Sequence, residues 1–244
     1  MIELNPPIRL AVIGAGGRLG LEIAALAAAD RRFCLTALLV SANSSLLALP
    51  SPHTPLHYVA RLETAVDVII DVSLPQAFAH TKAAVSEFGA ALVCGVTGFD
   101  DAGLAAIAKL SHTHAVLHTH NFSQGVAVLK HLSRIAAELL GPNFDVGILD
   151  IHHRNKRDAP SGTALSLEAA LRQGGTANVQ HSALRLGSVV GEHQVHFCGK
   201  AEEIILTHRA ADRAMFALGA LDAAVWLAGK AAGSYTIEAV FGIA

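Results

Sequence analysis

The stretch Arg9-Leu-Ala-Val-Ile-Gly-Ala-Gly-Gly-Arg-Leu-Gly20 decides the fold of the first half of the chain. A short apolar run ending in glycine is typical of a buried parallel strand, and an Ala/Leu-rich helix is expected to follow it to about Ala29. The glycines follow a GxxGxxG spacing from Gly14, because the last position of a strict GxGxxG pattern is Leu19. Glycines at such a turn let the backbone approach a pyrophosphate at the helix N-terminus. The stretch therefore predicts a dinucleotide-binding turn.

Four more strands alternate with helices after this turn. Strands are predicted at 33–40, 67–73, 91–98 and 115–120, with helices at 74–89 and 101–110. Regular alternation indicates a Rossmann-like, doubly wound parallel sheet of the α/β class, with ligands at the carboxyl ends of its strands. Residues 46–62, which contain three prolines, are interpreted as a loop without a defined role.

The pattern changes after residue 123. A helix is predicted at 124–140, a strand at 144–149, a helix at 161–172, and extended segments at 179–187, 190–198 and 202–208. Extended segments without intervening helices indicate a second α+β domain with an open, mostly antiparallel sheet. A helix at 212–231 and an extended apolar tail at 234–243 are expected to return to the first sheet. The predicted domains are residues 1–123 with 213–244, and residues 124–212.

Composition and charge exclude several classes of protein. The 244-residue chain is 52% hydrophobic and 16% charged, which favours a sizeable core over disorder. A net charge of −2 argues against a nucleic-acid-binding protein. No apolar run reaches the roughly 18 residues of a membrane span, and no secretory signal is recognisable. The three cysteines Cys34, Cys94 and Cys198 are too few and too far apart for a disulfide framework. A cytoplasmic protein is expected, with Cys94 as a small buried hydrophobe.

The densest cluster of reactive side chains lies in Asp150–Leu165, between a predicted strand and a predicted helix. It holds the adjacent histidines His152 and His153, three cationic residues and a Pro-Ser-Gly-Thr turn. Free N–H groups at a helix start attract anions, and nearby cations and imidazoles can hold a small dicarboxylate and move a proton beside it. By composition alone, a solvated basic loop is the alternative.

Seven motifs distributed along the chain point to one family. They are Gly14-Ala-Gly-Gly-Arg-Leu-Gly, Asp71-Val-Ser-x-Pro, Gly95-Val-Thr-Gly, Asn121-Phe-Ser-x-Gly-Val, His152-His-Arg-x-Lys-x-Asp-Ala-Pro-Ser-Gly-Thr-Ala, Arg185-x-Gly-x-x-Val-Gly-Glu-His and Thr207-His-x-Ala-x-x-Arg. In these motifs the chain resembles the 4-hydroxy-tetrahydrodipicolinate reductase (dihydrodipicolinate reductase) family, and the fifth motif is the most specific. The resemblance implies NAD(P)H-dependent reduction of 4-hydroxy-tetrahydrodipicolinate to tetrahydrodipicolinate, in the diaminopimelate route of lysine biosynthesis. It also implies a homotetramer built from the second domain.

The resemblance assigns roles to individual residues. The implied catalytic acid/base is His152, and the implied proton donor is Lys156. The implied substrate contacts are His153, Lys156, Ser161, Gly162 and Thr163. The implied cofactor contacts are Gly14, Ala15, Gly16, Gly17, Arg18, Leu19, Gly95, Val96, Thr97, His120, Asn121, Phe122 and Ser123.

The residues after the second strand bear on the choice between NADH and NADPH. An acid there typically binds the ribose 2′-hydroxyl of NAD, and the family often has an acid followed by a basic residue. This chain has Val40 and Ser41 instead. Small hydroxyl and amide groups, with Arg18 in reach, are able to accept a 2′-phosphate. We therefore expect NADPH or NADH, with a lean towards NADPH and with Ser41 as a cofactor contact.

Other candidate sites and functions have weaker support. The alternating histidines 112, 114, 118 and 120 are joined by no cysteine or carboxylate, so they are interpreted as surface or rim histidines and no metal is predicted. Arg185, Glu192 and His193 are expected either to line the substrate side of a cleft or to form a paired surface cluster. An acylating semialdehyde dehydrogenase would require an exposed thiolate, which no cysteine here is placed to supply. A non-catalytic dinucleotide sensor would have no use for the His152–Lys156 constellation.

Overall fold

The computed structural model describes residues 6–243, and the chain divides into two compact units. The first runs to Phe122 and includes Phe216–Gly242, and the second is Ser123–Met215. In the described part of the chain, no helix combines the length and the apolar character required to cross a bilayer.

The first unit is a parallel sheet with helices on both faces. Its strands are β1 (Ile8–Ile13), β2 (Phe33–Leu39), β3 (Tyr58–Val59), β4 (Val68–Asp71), β5 (Ala91–Cys94) and β6 (Ala115–His118), and its helices are α1 (Arg18–Ala29), α2 (Phe78–Phe88) and α3 (Asp101–Ser111). The strands lie in the order β6-β5-β4-β1-β2-β3, and a seventh strand joins β6 at the edge. The predicted Rossmann-like doubly wound sheet is confirmed. The expected loop at 46–62 is wrong in one respect, because Tyr58 and Val59 add β3 to the sheet.

Alternation along β1 explains why both faces of this sheet are covered. Leu10 and Val12 face a core shared with α1, whereas Ala11 and Ile13 face a second core shared with α2 and α3. Strands buried on both sides read as continuous apolar runs, which is the pattern that predicted them. Because β1 pairs in parallel with β2 and with β4, the carboxyl ends of these three strands lie at the same edge of the sheet.

The second unit is a four-stranded sheet covered by two helices. Its elements are α4 (Gln124–Leu140), β7 (Asp145–His152), α5 (Gly162–Gln173), β8 (Val179–Arg185), β9 (Gly191–Cys198) and β10 (Glu203–Ala210). The strand order is β10-β9-β7-β8. The β10–β9 and β9–β7 pairings are antiparallel and β7–β8 is parallel, so the predicted mostly antiparallel sheet is confirmed.

Alternation along β7 positions the candidate site. Val146 and Ile148 point into the core beneath α4 and α5, and the next two residues on this face are Asp150 and His152. Across the sheet, Asp150 is paired with His193 of β9 and His152 is paired with Arg185 of β8. The strand predicted at 144–149 therefore continues as far as His152.

The C-terminal segment differs in part from its prediction. Helix α6 (Ala214–Leu227) stops before residue 231, since Gly229 adopts a left-handed φ of 75° just beyond its end. Strand β11 (Gly233–Tyr235) then pairs in parallel with β6, so the tail joins the first sheet as expected. The tail is not extended throughout, because Thr236 accepts a hydrogen bond from Ala239 N–H and caps the short helix α7 (Ile237–Val240).

Candidate active site

The glycine turn after β1 has a geometry that side chains would obstruct. Gly14 has a φ of 81°, and a Cβ there would lie 2.8 Å from the backbone nitrogen of Ser73. A Cβ on Gly20 would overlap the carbonyl oxygen of Gly14. Gly17 is the N-cap of α1 and carries no side-chain cap. The first-turn N–H groups of α1 are therefore available to a phosphate group.

A cavity of about 700 Å³ lies at the carboxyl ends of β1, β2 and β4. Residues of four neighbouring segments line it, among them Gly14, Ser41, Arg61, Ser73 and His80. The volume falls in the range of ligand pockets. Its position beside the glycine turn fits the adenosine end of a dinucleotide, whose pyrophosphate would approach α1. The predicted contacts Gly14 and Ser41 both line this cavity.

A buried carboxylate that the sequence interpretation did not assign supports the cavity wall. Asp71 accepts hydrogen bonds from Ser73 N–H at 2.9 Å, from the Ser73 hydroxyl at 2.6 Å and from the Thr81 hydroxyl at 2.6 Å. Burial raises the pKa of Asp71 despite these donors. Asp71 thereby fixes the position of Ser73, whose backbone lies against Gly14. The Asp-Val-Ser motif was visible in the sequence, but its partner Thr81 lies on α2.

The predicted cofactor contacts in segments 95–97 and 120–123 differ from one another in exposure. Thr97 and His120 are exposed, while Val96 and Phe122 are buried. A Cβ on Gly95 would lie 2.5 Å from the Phe122 ring, so this glycine makes room for a core aromatic residue. Ser123 belongs to the second unit, where its hydroxyl caps α4 by accepting from Val126 N–H at 3.2 Å.

The second unit contains a buried polar cluster centred on Asp150. The carboxylate accepts from Ser161 N–H at 2.8 Å and from Arg185 Nη1 at 2.6 Å, and it lies 3.2 Å from His152 Nδ1. The Asp150 side chain is only 1% exposed. Burial would raise its pKa, but the Ser161 and Arg185 donors prevail and lower it. Asp150 is therefore an ionised acceptor inside the protein.

The charge on Asp150 sets the tautomer of His152. A carboxylate only accepts hydrogen bonds, so Nδ1 of His152 must carry the proton that faces it. Burial lowers the pKa of His152, with Lys156 lowering it further against the opposing effect of Asp150, so that the ring is neutral at pH 7. The free Nε2 faces Gly191, where a Cβ would lie 3.2 Å away. His152 is thus held at Nδ1 by a carboxylate, and its Nε2 is left to accept a hydrogen bond.

A second histidine lies beside the first. His193 Nε2 is 3.2 Å from the Ser161 hydroxyl, and the His193 and His152 rings meet edge to face at 5.1 Å. Burial, followed by the neighbouring His152, lowers the pKa of His193 to about 4. Ser161 in turn caps α5 by accepting from Ala164 N–H at 3.1 Å. Arg185 and His193 therefore do not form the paired surface cluster that was one of the two alternatives. Glu192 does form such a pair, because it accepts from the exposed Arg209 at 2.7 Å.

The predicted substrate-binding turn is held by a carboxylate of its own. Lys156 Nζ lies 2.8 Å from Asp158 Oδ2. That ammonium holds the pKa of Asp158 low, and the backbone N–H of Gly162 contributes in the same direction. His153 and Thr163 are half-buried, and Gly162 is exposed at the start of α5. An internal carboxylate thus meets the donors that the sequence assigned to a substrate carboxylate.

The three cysteines differ in burial. Cys94 is fully buried, and burial raises its pKa to about 12, as expected of a small core residue. Cys34 and Cys198 are exposed. Among residues 6–243, no group of three or more His, Cys, Asp or Glu side chains is arranged to hold a metal ion.

These features define the class of protein. A glycine turn beside a nucleotide-sized cavity, and a buried histidine–carboxylate pair next to a helix N-terminus, are typical of dinucleotide-dependent enzymes with small anionic substrates.

Comparison with known proteins narrows the class. Residues 8–122 match the family model "Dihydrodipicolinate reductase, N-terminus", and residues 125–241 match "Dihydrodipicolinate reductase, C-terminus". A 4-hydroxy-tetrahydrodipicolinate reductase of Xanthomonas euvesicatoria is 42% identical over 95% of this chain and 96% of its own length. One of Stenotrophomonas maltophilia is 41% identical over 95% and 97%. The chain belongs to the dihydrodipicolinate reductase family.

Solved structures agree on the fold. A dipicolinate-bound dihydrodipicolinate reductase from Paenisporosarcina superposes with a TM-score of 0.78 at 22% identity, covering 94% of this chain and 97% of that one. A myo-inositol 2-dehydrogenase from Lactobacillus plantarum reaches 0.62 at 12% identity, covering 96% and 93%. Similarity at these identities establishes the common architecture.

Proposed function

We propose that this protein is an NAD(P)H-dependent oxidoreductase that reduces 4-hydroxy-tetrahydrodipicolinate to tetrahydrodipicolinate, a step of diaminopimelate and lysine biosynthesis. The single observation that carries the proposal is the Asp150–His152 pair beside the capped start of α5. Family membership over nearly the whole chain supports the same reaction. The domain roles follow: residues 1–123 with 213–244 bind the dinucleotide, and residues 124–212 bind the substrate.

Substrate binding is assigned to the turn before α5. One carboxylate of the substrate takes the place of Asp158, between the Lys156 ammonium and the N–H groups at the start of α5. The Ser161 and Thr163 hydroxyls and His153 complete the predicted set of contacts. In this arrangement Asp158 keeps Lys156 at the turn until the dicarboxylate arrives.

Proton transfer is assigned to His152 and Lys156. The 4-hydroxyl group of the substrate and one ring hydrogen leave as water. NAD(P)H supplies a hydride when bound, and reduction of the cyclic imine-type ring also requires a proton beside the nitrogen. The Lys156 ammonium polarises the ring and donates the proton, while the free Nε2 of neutral His152 takes up and returns protons. Asp150 holds the His152 ring and stabilises the imidazolium that forms during the exchange. The dry surroundings of the pair strengthen this attraction.

The cofactor contacts are assigned to the glycine turn, to the cavity of the first unit and to two later segments outside the cavity lining. The turn of Gly14 to Leu19 would hold the pyrophosphate, Ser41 would contact the ribose, and the two later segments, Gly95–Thr97 and His120–Ser123, would contact the nicotinamide. The lean towards NADPH rests on the absence of an acidic side chain at Val40 and Ser41 in the sequence.

Assembly and location complete the proposal. We expect a homotetramer in the cytoplasm, assembled through the second unit. The face of the four-stranded sheet opposite its helices supports this assembly, because Leu184 and Ile205 are exposed there. Light scattering after gel filtration measures the state directly, and a monomer at micromolar concentration would contradict the tetramer.

The reaction is tested by following NADPH and NADH absorbance with freshly prepared 4-hydroxy-tetrahydrodipicolinate. Substrate-dependent oxidation at catalytic protein concentrations is expected with at least one of the two nucleotides. Nucleotide binding without oxidation would instead support a dinucleotide sensor. Running the two nucleotides separately also measures the preference between them.

A further inference from the structure

We propose that Arg61 is the residue that recognises the 2′-phosphate of NADPH, in place of a basic residue after β2. The inference rests on the proposed nucleotide site and concerns a residue outside all the motifs discussed above. Arg61 follows strand β3, which the sequence did not predict and which ends at Val59.

The sheet register places Arg61 beside the ribose position. In the parallel β2–β3 pairing, Leu39 lies opposite Val59, and Val40 N–H donates to the Val59 carbonyl at 2.9 Å. Ser41 and Arg61 each follow two residues after this pair, at neighbouring carboxyl ends. In dinucleotide-binding folds, residues near the end of the second strand contact the ribose 2′ position. In NADP-binding members, a nearby arginine accommodates the 2′-phosphate. The adjoining strand thus brings a guanidinium next to the neutral Ser41.

The cavity lining supports this placement. Ser41 and Ala42 after β2, and Ala60 and Arg61 after β3, line the same cavity of about 700 Å³. The opposite side is formed by α2 and the segment before it, and includes His80. Arg18, the cation considered from the sequence, is exposed at the start of α1 and is not among the residues lining this cavity. Arg61 is therefore the better placed of the two arginines.

Arg61 is exposed and only weakly paired with Glu87, so its guanidinium is able to bind a phosphate instead. Its guanidinium lies 3.3 Å from Glu87 Oε1, and the Arg61 and Glu87 side chains are 75% and 49% exposed. An exposed ion pair at this distance is weak, whereas a phosphate dianion offers a guanidinium shorter, charge-assisted hydrogen bonds. Glu87 also lines the cavity, so it opposes a 2′-phosphate through its own charge. The Arg61–Glu87 pair consequently sets the strength of the NADPH preference.

The experiment compares two small ligands by calorimetry at low salt. Adenosine 2′,5′-bisphosphate and adenosine 5′-monophosphate are titrated into the wild type, Arg61→Gln, Glu87→Gln, Arg18→Gln and the control Arg31→Gln, which removes an exposed charge preceding β2. We expect the wild type to bind the bisphosphate about tenfold more tightly, as one charge-assisted contact would provide. Arg61→Gln should bring the ratio close to one without weakening the monophosphate. Glu87→Gln should increase the ratio, and Arg18→Gln and Arg31→Gln should leave it unchanged.

The outcomes separate this inference from the proposed function. A wild type that binds both ligands equally, a preference for the monophosphate, or an unchanged ratio in Arg61→Gln would overturn the role of Arg61 and leave the nucleotide site intact. Loss of the ratio in Arg18→Gln alone would transfer the role to Arg18. Binding of neither ligand to the wild type would contradict both the inference and the proposed nucleotide site. Because Arg61 is exposed, the ratio should also fall as salt is raised.

Discussion

The glycine turn between β1 and α1 and the basic turn between β7 and α5 are both strand-to-helix connections, but they are built from different atoms. The first consists of backbone with little side chain, and Gly14 and Gly20 leave no room for a methyl group. The second depends on side chains, with Asp150 joining Arg185, Ser161 and His152 inside the protein. A backbone-built site is damaged by adding atoms, whereas a site built from buried charges is damaged by removing them.

The largest effect is expected when the reactive side chain of the second turn is removed. His152→Ala should lower turnover by about 10² to 10⁴, the usual contribution of a positioned acid or base. The affinity for NADPH should stay within about twofold of wild type, since the nucleotide site is assigned to the first unit. Steady-state kinetics and nucleotide titration measure the two quantities. His112→Ala, at an exposed histidine after α3, is the control, and equal turnover of the two variants would contradict the assignment.

Removing the cation of the buried cluster should affect folding more than removing a surface cation does. Arg185 is 18% exposed and donates to the 1%-exposed Asp150. Arg185→Gln leaves that carboxylate underpaired, and the free energy of unfolding should fall by about 3–5 kcal/mol. Arg134→Gln is the control in the same unit, because its pair with Glu138 lies on the surface of α4 and should contribute only about 0.5 kcal/mol. Urea unfolding followed by circular dichroism compares the two variants. Equal losses of unfolding free energy would contradict the role of Arg185 in pairing the buried Asp150.

The pH dependence of stability tests the burial of His193. The unfolded chain protonates this histidine near its ordinary pKa of 6.5, whereas the folded chain does so only near about 4. Between these values the unfolded state binds more protons, so the free energy of unfolding falls as pH falls, by at most about 3 kcal/mol. His193→Gln keeps a donor for Ser161 but cannot ionise there. Its stability should decline less than that of wild type from pH 6.5 to 4, and parallel curves would disprove the prediction.

A smaller effect is expected from adding one methyl group to the first turn. Gly20→Ala places a Cβ against the Gly14 carbonyl oxygen, and relief of the overlap should cost about 1–3 kcal/mol of unfolding free energy. Gly147→Ala is the control, because a Cβ there has only an ordinary contact at 3.9 Å. Thermal unfolding of the two variants measures the difference. A Gly20→Ala protein as stable as Gly147→Ala would show that the turn tolerates side chains.

The same comparison explains what the sequence predicted. The glycine turn and the buried strands of the first unit were predictable because spacing and apolar runs are local signals. Strand β3 was not predicted from the sequence. Its two residues, Tyr58 and Val59, are too few to show a pattern, and they follow a proline-rich segment. Helix α7 was likewise too short, and only its Thr236 cap marks it.

The polar cluster was predictable only in part. His152, Lys156 and Ser161 occur in one motif, and the resemblance identified them. The roles of Arg185 and His193 depend on the β7–β8 and β7–β9 registers, which no local pattern fixes. Asp150 was named only as the first residue of the stretch Asp150–Leu165, without a role, since nothing in the sequence shows that it is buried.

The proposed division of binding places the dinucleotide at the first turn and the dicarboxylate at the second. It is tested most directly by titrating NADPH and pyridine-2,6-dicarboxylate, a stable planar analogue, into the wild type, Gly20→Ala and Lys156→Ala. Lys156→Ala should weaken the dicarboxylate about tenfold or more, the value of one charged hydrogen bond, while NADPH affinity is retained. Gly20→Ala should weaken NADPH and retain the dicarboxylate. Loss of NADPH binding in Lys156→Ala with unchanged dicarboxylate binding would contradict the account.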